Sequence, residues 1–279
     1  MTDRRARAQV THATVSRTER LTPHMIRVVL GGPELAGLDL GRCTDHYVKL
    51  LFPRPDVDYP VPFDLETVRR DLPAEQWPRL RSYTVRAFDP AAAELTIDFV
   101  YHGDEGLAGP WAARARTGDP VMFLGPGGGY APDPDADWHL LVGDESALPA
   151  IAATLERLPV DATVRVFVEV AGAQEEQKLA TDADAEIVWL HRGAGAVGEA
   201  LVAAVRAADL PTGTPHAFVH GEAAFVKELR HLLRVERELS RDRLSISGYW
   251  RLGTDDEGWR AVKPEWNRQI EEQEAREIR

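Results

Sequence analysis

The spacing of hydrophobic and polar positions changes character near residue 132 of the chain. Before it, short alternating stretches are separated by glycine and proline, a pattern that predicts strands joined by turns. The clearest stretches are residues 28–30, 47–52, 95–101 and 121–124. A series of short strands of this kind predicts an antiparallel β-barrel. A stretch rich in proline and acidic residues interrupts it and predicts one short helix, at 65–70.

Beyond residue 137 short buried-type strands alternate with apolar helical patterns. The predicted strands are 140–142, 164–170, 187–190, 217–219 and 244–246, and the predicted helices are 147–158, 197–208 and 223–233. Alternation of strand and helix predicts a doubly wound parallel sheet with right-handed crossovers. The sequence therefore predicts a β-barrel domain over residues 1–133 and an α/β domain of nucleotide-binding type over 134–279.

The chain is predicted to end in a helix that starts at Pro264, because proline suits the first turn of a helix. The acidic residues Glu271, Glu272 and Glu274 are most simply the solvated face of that helix.

Composition narrows the classes of function that the chain can have. With 33 basic and 45 acidic residues the formal charge is −12, which argues against a nucleic-acid partner. No apolar run approaches the roughly 20 residues that span a bilayer, so no membrane segment is expected. The basic segment 1–9 is not followed by an apolar stretch, so we expect no secretory signal and a cytoplasmic protein. Cys43 is the single cysteine and the nine histidines are scattered, so no resident metal is expected.

Residues 81–86 place two guanidinium groups, an aromatic ring and a hydroxyl on one extended segment. Side chains alternate along a strand, so Arg81 and Tyr83 share one face while Thr84 and Arg86 share the other. A guanidinium matches a phosphate, a tyrosine ring can stack along a flavin, and Thr84 can hydrogen-bond near the flavin nitrogens. These residues suit a flavin dinucleotide, although by themselves a surface strand with solvated arginines explains them equally well.

A glycine-rich turn follows the predicted strand at 95–101. Pro110 is well placed to open a helix whose first amides would face an anion, and glycines allow a close backbone approach. The turn is a candidate pyrophosphate site if the Arg81 strand lies beside it, and otherwise a plain loop. Its candidate ligands are His102, Gly106, Leu107, Ala108 and Trp111, of which His102 serves equally well to satisfy the backbone of the turn.

In the α/β half the candidate residues follow the predicted strands, where such sheets bind nucleotides. They are Gly143, Asp144, Glu145 and Ser146 after the first strand, Arg192 after the third, and Gly221 and Glu222 after the fourth. The three-glycine dinucleotide motif is absent, and Glu222 could equally cap the next helix. Glu169 and Glu175 would suit a ribose hydroxyl and Arg192 a 2′-phosphate, so the sequence does not choose between NADH and NADPH.

Several motifs in a fixed order resemble the siderophore-interacting protein family, flavin-dependent ferric-siderophore reductases related to ferredoxin-NADP reductases. The resemblance runs from about Val15 to the end of the chain. The matching stretches are 47–53, 81–86, 98–103, 106–112, 118–120, 143–150 and 248–253.

The resemblance implies that the barrel binds FAD through Arg81, Tyr83, Thr84 and Arg86, with the 106–111 turn on its pyrophosphate. It implies that the second domain presents a reduced nicotinamide to the flavin, or in some members that another donor, such as a ferredoxin, takes this role. It also implies that Lys49 and Arg251 bind an anionic ferric siderophore. Trp250, next to Arg251, could form a wall of the chelate pocket. Trp250 could instead simply cap the edge of the last strand.

One position departs from the family pattern. Similar proteins often read Gly-Pro-Arg-Gly after the strand at 121–124, whereas this chain has Gly125, Pro126 and then three glycines from Gly127. A basic contact to the chelate is therefore missing. No catalytic side chain is expected, because the chemistry would take place on the flavin. The alternatives are a reductase that exchanges electrons with a ferredoxin-like protein and a flavin-bearing siderophore-binding protein with little turnover.

Overall fold

A computed structural model describes residues 10–278 of the chain. The basic segment 1–9, on which the expectation about a secretory signal rests, lies outside the described residues. The described chain divides into two compact units. The first comprises the described residues up to Arg20, Ile26–Gly41 and His46–Gly128. The second comprises Leu21–Met25, Arg42–Asp45 and the chain from Gly129 onward.

The first unit is a closed barrel of six strands in the order β1-β2-β5-β4-β3-β6, which confirms the predicted architecture. Its core is built from the inward-facing residues of the strands, among them Val28, Val48, Ile97 and Phe123. The strands are β1 (Val10–Thr22), β2 (Met25–Gly31), β3 (Tyr47–Phe52), β4 (Arg79–Asp89), β5 (Glu94–Val100) and β6 (Pro120–Gly127). Two helices accompany them, α1 (Leu65–Asp71) and α2 (Ala108–Arg114).

The strand that carries the candidate flavin ligands, β4, contains a bulge. Val85 pairs with Ile97 and Ala87 with Thr96, so the pairing register shifts at Arg86 between them. A bulge breaks the regular alternation of side chains and bends the strand. The faces expected from simple alternation therefore hold from Arg81 to Val85, and Arg86 stands at the bend.

The second unit is a parallel five-stranded sheet in the order β11-β10-β7-β8-β9, again as predicted. The apolar side chains of Leu140, Val142, Ala217 and Val219 pack against α4 and α5 on one face. The elements are β7 (Trp138–Asp144), α3 (Leu148–Leu155), β8 (Thr163–Val170), β9 (Asp184–His191), α4 (Glu199–Ala207), β10 (Pro215–Glu222), α5 (Ala223–His231), β11 (Leu244–Trp250) and α6 (Asp256–Glu277). None of the described helices is both long and apolar enough to span a membrane.

The C-terminal helix begins earlier than the sequence predicts, so its predicted start at Pro264 was wrong. Asp255 caps α6 by accepting a hydrogen bond from the amide of Gly258, and Pro264 lies exposed inside the helix. The expected solvated face was also wrong for Glu274. Its side chain is only 10% exposed and forms a paired set of hydrogen bonds with Arg230 of α5, one of them 2.9 Å from Nη2 to Oε2.

Candidate functional site

Phe99 of β5 joins the two candidate flavin-binding segments of the barrel. The ring of Tyr83 lies 4.4 Å from that of Phe99, centroid to centroid, and the indole of Trp111 lies 5.5 Å from it. The β4 strand and the α2 turn therefore stand side by side. This juxtaposition is the condition under which the glycine-rich turn becomes more than a plain loop.

The groups on β4 fit a flavin dinucleotide. Tyr83 is half-buried, since Phe99 lies against its ring, and Thr84 is buried beside it. The guanidinium of Arg81 is anchored by a 2.8 Å hydrogen bond from Nη1 to the carbonyl of Leu80, while its side chain is only partly buried. The strand thus offers an oriented cation, a hydroxyl and an aromatic ring, as phosphate and isoalloxazine binding require.

The turn before α2 holds the second group of candidate ligands. No side chain caps this helix, and Pro110 in its first turn has no amide hydrogen to satisfy. Leu107 and Trp111 line a groove of about 360 Å³ together with Phe52 and Arg114. Ala108 is buried, Gly106 is exposed at a positive φ of 81°, and His102 is exposed. The guanidinium of Arg81 and the uncapped amides at the start of α2 are donors of the kind that the phosphates of FAD require.

At the carboxyl ends of the parallel strands, Asp144 organises the rim of the second unit. One carboxylate oxygen accepts hydrogen bonds from the amide and hydroxyl of Ser146, at 2.9 and 2.5 Å. The other accepts from the amide of Glu222 and from the indole of Trp250, at 2.9 and 2.7 Å. Burial raises the pKa of Asp144 to about 6, although the hydrogen bonds from Ser146 and Trp250 act to lower that pKa.

Gly221 has to be glycine for this arrangement. Its φ is 143°, and a Cβ there would lie 2.7 Å from Cγ of Asp144 and 2.5 Å from the ring of Phe225. The first rim turn at Gly143 and the second at Gly221 are thus joined through Asp144. Glu222 caps α5 by accepting from the amide of Ala224 at 2.5 Å, and its other oxygen accepts from the amide of Leu252 at 3.1 Å.

Arg192 follows β9 and lies between two carboxylates. Its Nη2 is 3.1 Å from Oε1 of Glu145, and its Nη1 is 3.3 Å from Oε1 of Glu169. Glu169 also accepts two hydrogen bonds from the amide of Gly198, at 2.9 and 3.1 Å, where α4 begins. Burial acts to lower the pKa of Arg192, but the two glutamates outweigh it and raise that pKa.

The carboxylates considered for a ribose have structural partners. Glu169 is fully buried between Arg192 and Gly198. Glu175 is buried as well and accepts from the hydroxyl of Thr22 at 2.5 Å and from the amide of His24 at 3.1 Å. The sequence gives no signal of these contacts, because both sets of partners lie far along the chain.

The residues considered for the chelate are placed as follows. Lys49 projects from β3, exposed, with its Nζ 5.9 Å from the centroid of the Tyr47 ring. In the second unit, the indole of Trp250 is engaged with Asp144, and Arg251 is exposed immediately after β11. Trp250 is therefore a structural partner of the rim.

The structure explains the glycine at 127, where sequence reasoning missed the role of Tyr47. A Cβ at Gly127 would lie 2.7 Å from Cζ and 2.9 Å from Cε1 of Tyr47. The aromatic ring of Tyr47 thus covers the backbone at Gly127, the position that departs from the expected family pattern. Tyr47 is 38% exposed, so its ring is part of the accessible surface of the barrel.

Comparison with known proteins places both halves of the chain. Residues 14–130 match the model of the siderophore-interacting FAD-binding domain, and residues 136–253 match that of siderophore-interacting protein. The chain belongs to the siderophore-interacting protein family. The barrel is its FAD-binding domain, and FAD is its cofactor.

Individual relatives agree with the family. The chain is 34% identical to ferric vibriobactin reductase ViuB of Vibrio cholerae, over 87% of this chain and 90% of the relative. It is 32% identical to the NADPH-dependent ferric-chelate reductase of Escherichia coli, over 85% of this chain and 91% of the relative. The crystal structure of a siderophore utilization protein from T. fusca has a TM-score of 0.77 at 41% identity, over 89% of this chain and 95% of that one. Relatives and fold together indicate an oxidoreductase.

Proposed function

We propose that this protein is an FAD-dependent ferric-siderophore reductase that uses NAD(P)H. The observation that supports the proposal is the contact of Tyr83 and Trp111 with Phe99, which brings the β4 strand and α2 together where the proposal puts the flavin. The names of the Vibrio and Escherichia relatives supply the substrate class, a ferric chelate. We propose a cytoplasmic location for this activity.

Bound FAD would accept a hydride, that is two electrons, and return electrons singly to ferric iron. The balanced reaction oxidises one NAD(P)H to NAD(P)⁺ and a proton while two Fe(III) become two Fe(II). No protein group has to act as an acid, a base or a metal ligand. The described residues contain no cluster of three or more His, Cys, Asp or Glu side chains that could hold a metal.

The task of the protein residues is to bind and orient. Arg81 would neutralise and position the pyrophosphate, Thr84 would hydrogen-bond at the flavin ring, and Tyr83 would restrict the ring from one side. Rigid support for these groups comes from Phe99, which is buried in the barrel core. Arg86, at the bulge of β4, is aimed by the bend of the strand and not by simple alternation.

On the chelate side, the proposal assigns Lys49 and Arg251 to attraction of an anionic substrate. A protein with a formal charge of −12 repels anions over most of its surface, so local cations matter for their capture. The ring of Tyr47 beside Lys49 adds an accessible flat surface where a basic side chain is missing. The chelate would then be recognised by fewer charges and by more aromatic contact.

Lys49→Ala should weaken the binding of an anionic ferric chelate up to about fivefold without changing FAD content, because one exposed charge contributes at most roughly 1 kcal/mol. Arg251→Ala should behave in the same way. The measurement is chelate titration followed by flavin fluorescence at low and high salt. The loss of chelate affinity should become smaller as the salt concentration rises.

Lys178→Ala, which replaces an exposed lysine outside all candidate sites, is the matched control. Unchanged chelate affinity in both variants at low salt would remove these residues from the substrate site.

Two alternative functions remain distinguishable by experiment. If FAD binds but neither NADH nor NADPH bleaches it, while a reduced ferredoxin does, the protein is a reductase fed by a protein donor. If the chelate binds to the flavoprotein and no donor yields Fe(II), the protein is a siderophore-binding flavoprotein. The relatives named as reductases favour the proposed function over both.

A further inference from the structure

The rim of the second unit concentrates carboxylates where a dinucleotide would bind. In a doubly wound sheet the pyrophosphate lies over the turn after the first strand, and the adenosine ribose lies near the end of the second. Here the first strand of that sheet, β7, leads into Asp144 and Glu145, and the second, β8, carries Glu169 near its end. Glu222 follows on the neighbouring β10.

Arg192, the cation that follows β9, forms ion pairs with Glu145 and Glu169. Its guanidinium contacts Glu145 at 3.1 and 3.4 Å and Glu169 at 3.3 Å, and its side chain is only 15% exposed. Glu145 is 8% exposed and Glu169 is fully buried, so both pairs lie largely away from solvent screening. The amide of Gly198 also donates to Glu169, which restricts the movement of the trio formed by Glu145, Arg192 and Glu169.

A 2′-phosphate would meet unfavourable charge at this place. Such a phosphate carries about −1.5 to −2 at neutral pH, whereas the ribose of NADH presents a neutral hydroxyl. Two carboxylates against one guanidinium leave the trio net negative, and no donor of Arg192 turned toward Glu145 or Glu169 can serve a phosphate without breaking an ion pair. Breaking a buried pair is costly, because it leaves a carboxylate buried without its partner.

We propose that the trio of Glu145, Arg192 and Glu169 makes this protein selective for NADH over NADPH. The inference rests on the proposed function, since it names the electron donor of that reaction. It assigns to Glu145 the role of a specificity-determining residue, because its ion pair with Arg192 keeps that guanidinium from binding a 2′-phosphate. The Escherichia relative is named as NADPH-dependent, so the proposal predicts that the present chain differs from it in donor preference.

The test measures nucleotide binding directly and so does not require turnover. The FAD-loaded protein is titrated with 5′-AMP and with its 2′-phosphorylated counterpart, adenosine 2′,5′-bisphosphate, by calorimetry. We expect 5′-AMP to bind at least about tenfold more tightly, since like charges in a partly buried site disfavour the second phosphate. Tighter binding of the bisphosphate, or no binding of either probe, would overturn the proposal.

Glu145→Gln should free Arg192 from one charged partner and reduce the preference for 5′-AMP about tenfold or more. Glu176→Gln is the matched control, because Glu176 is exposed and pairs with His191, 2.7 Å away, outside the trio. The thermal midpoint and the FAD content of each variant show whether it is folded. A folded Glu145→Gln protein with an unchanged preference would contradict the assigned role, while the wild-type ratio tests the selectivity without any variant.

Failure of this inference differs from failure of the proposed function. If 5′-AMP is preferred as expected but NADH does not reduce the bound FAD, the selectivity stands and the donor assignment of the reductase falls. If NADPH reduces the flavin as fast as NADH and the bisphosphate binds more tightly, the reductase stands and the role of the trio falls.

Discussion

Arg81→Ala is expected to weaken FAD binding at least about 100-fold, so that the purified protein loses most of its yellow colour. The reason is that two hydrogen bonds from a guanidinium to a phosphate each contribute about 1.5–3 kcal/mol, and every 1.4 kcal/mol changes affinity tenfold. The barrel itself should remain folded, because the side chain of Arg81 is only partly buried. Fluorescence titration of the apoprotein with FAD measures the effect.

Two further variants show whether the effect belongs to the phosphate contact. Arg81→Lys keeps the charge but loses the planar fork, and we expect an intermediate affinity. Arg116→Ala removes an exposed arginine of the same barrel and should leave FAD affinity unchanged. Full FAD content in Arg81→Ala, with an affinity equal to that of the wild type, would show that Arg81 does not hold the pyrophosphate.

Glu274→Ala should lower the free energy of unfolding of the second unit by about 3–5 kcal/mol. The substitution leaves the guanidinium of Arg230 buried without its partner, and that uncompensated charge is the main cost. It would also release the end of α6 from α5, since the pair links the two helices. Urea unfolding monitored by circular dichroism measures the change.

Glu272→Ala is the control for the same helix. Glu272 is exposed and pairs with Arg268 four residues away, so its loss should cost less than about 0.5 kcal/mol. Replacing both buried partners, Arg230→Met with Glu274→Leu, should recover most of the stability, because no charge is then buried. A Glu274→Ala protein as stable as the control would mean that the ion pair carries no net stabilisation.

The hydrophobic pattern was sufficient to predict the architecture. Strands such as β3 and β8 lie where alternation or a buried-type run places them, and α1 lies within a residue of its predicted end. The first strand, β1, was not predicted, because its second half is rich in exposed polar residues. Leu21–Met25 and Arg42–Asp45 belong to the second unit through contacts with residues that are distant along the chain. The local sequence does not indicate these contacts.

The segments of the candidate site could be recognised in the sequence, but the arrangement of its charges could not. The motif at 81–86 and the turn before α2 were recognisable as segments, and only the shared contact with Phe99 shows that they are neighbours. Arg192 could be suspected as a phosphate ligand from its position after a strand. Its commitment to Glu145 and Glu169 could not be predicted, because those residues lie 47 and 23 positions away. The same reason hid the partnership of Trp250 with Asp144, 106 positions apart.

Alternation also failed where the backbone departs from a regular strand or helix. At the bulge around Arg86, odd- and even-numbered residues no longer point to opposite faces of the strand. The sequence pattern does not predict this bulge. Pro264 lies inside α6 because Asp255 caps the helix, whose first residue, Asp256, lies eight residues before the predicted start at Pro264. Glu274 is buried because Arg230 compensates its charge, which composition cannot show.

Single-turnover electron transfer tests the central claim most directly. The FAD-loaded protein is reduced anaerobically with one equivalent of NADH, freed of excess donor, and mixed with a ferric chelate and a chromophoric Fe(II) chelator in a stopped-flow instrument. The account predicts that the absorbance of oxidised FAD returns at a rate that depends on chelate concentration, with two Fe(II) formed for each FAD. Bound FAD that stays reduced in the presence of several ferric chelates, with no Fe(II) trapped, would contradict it.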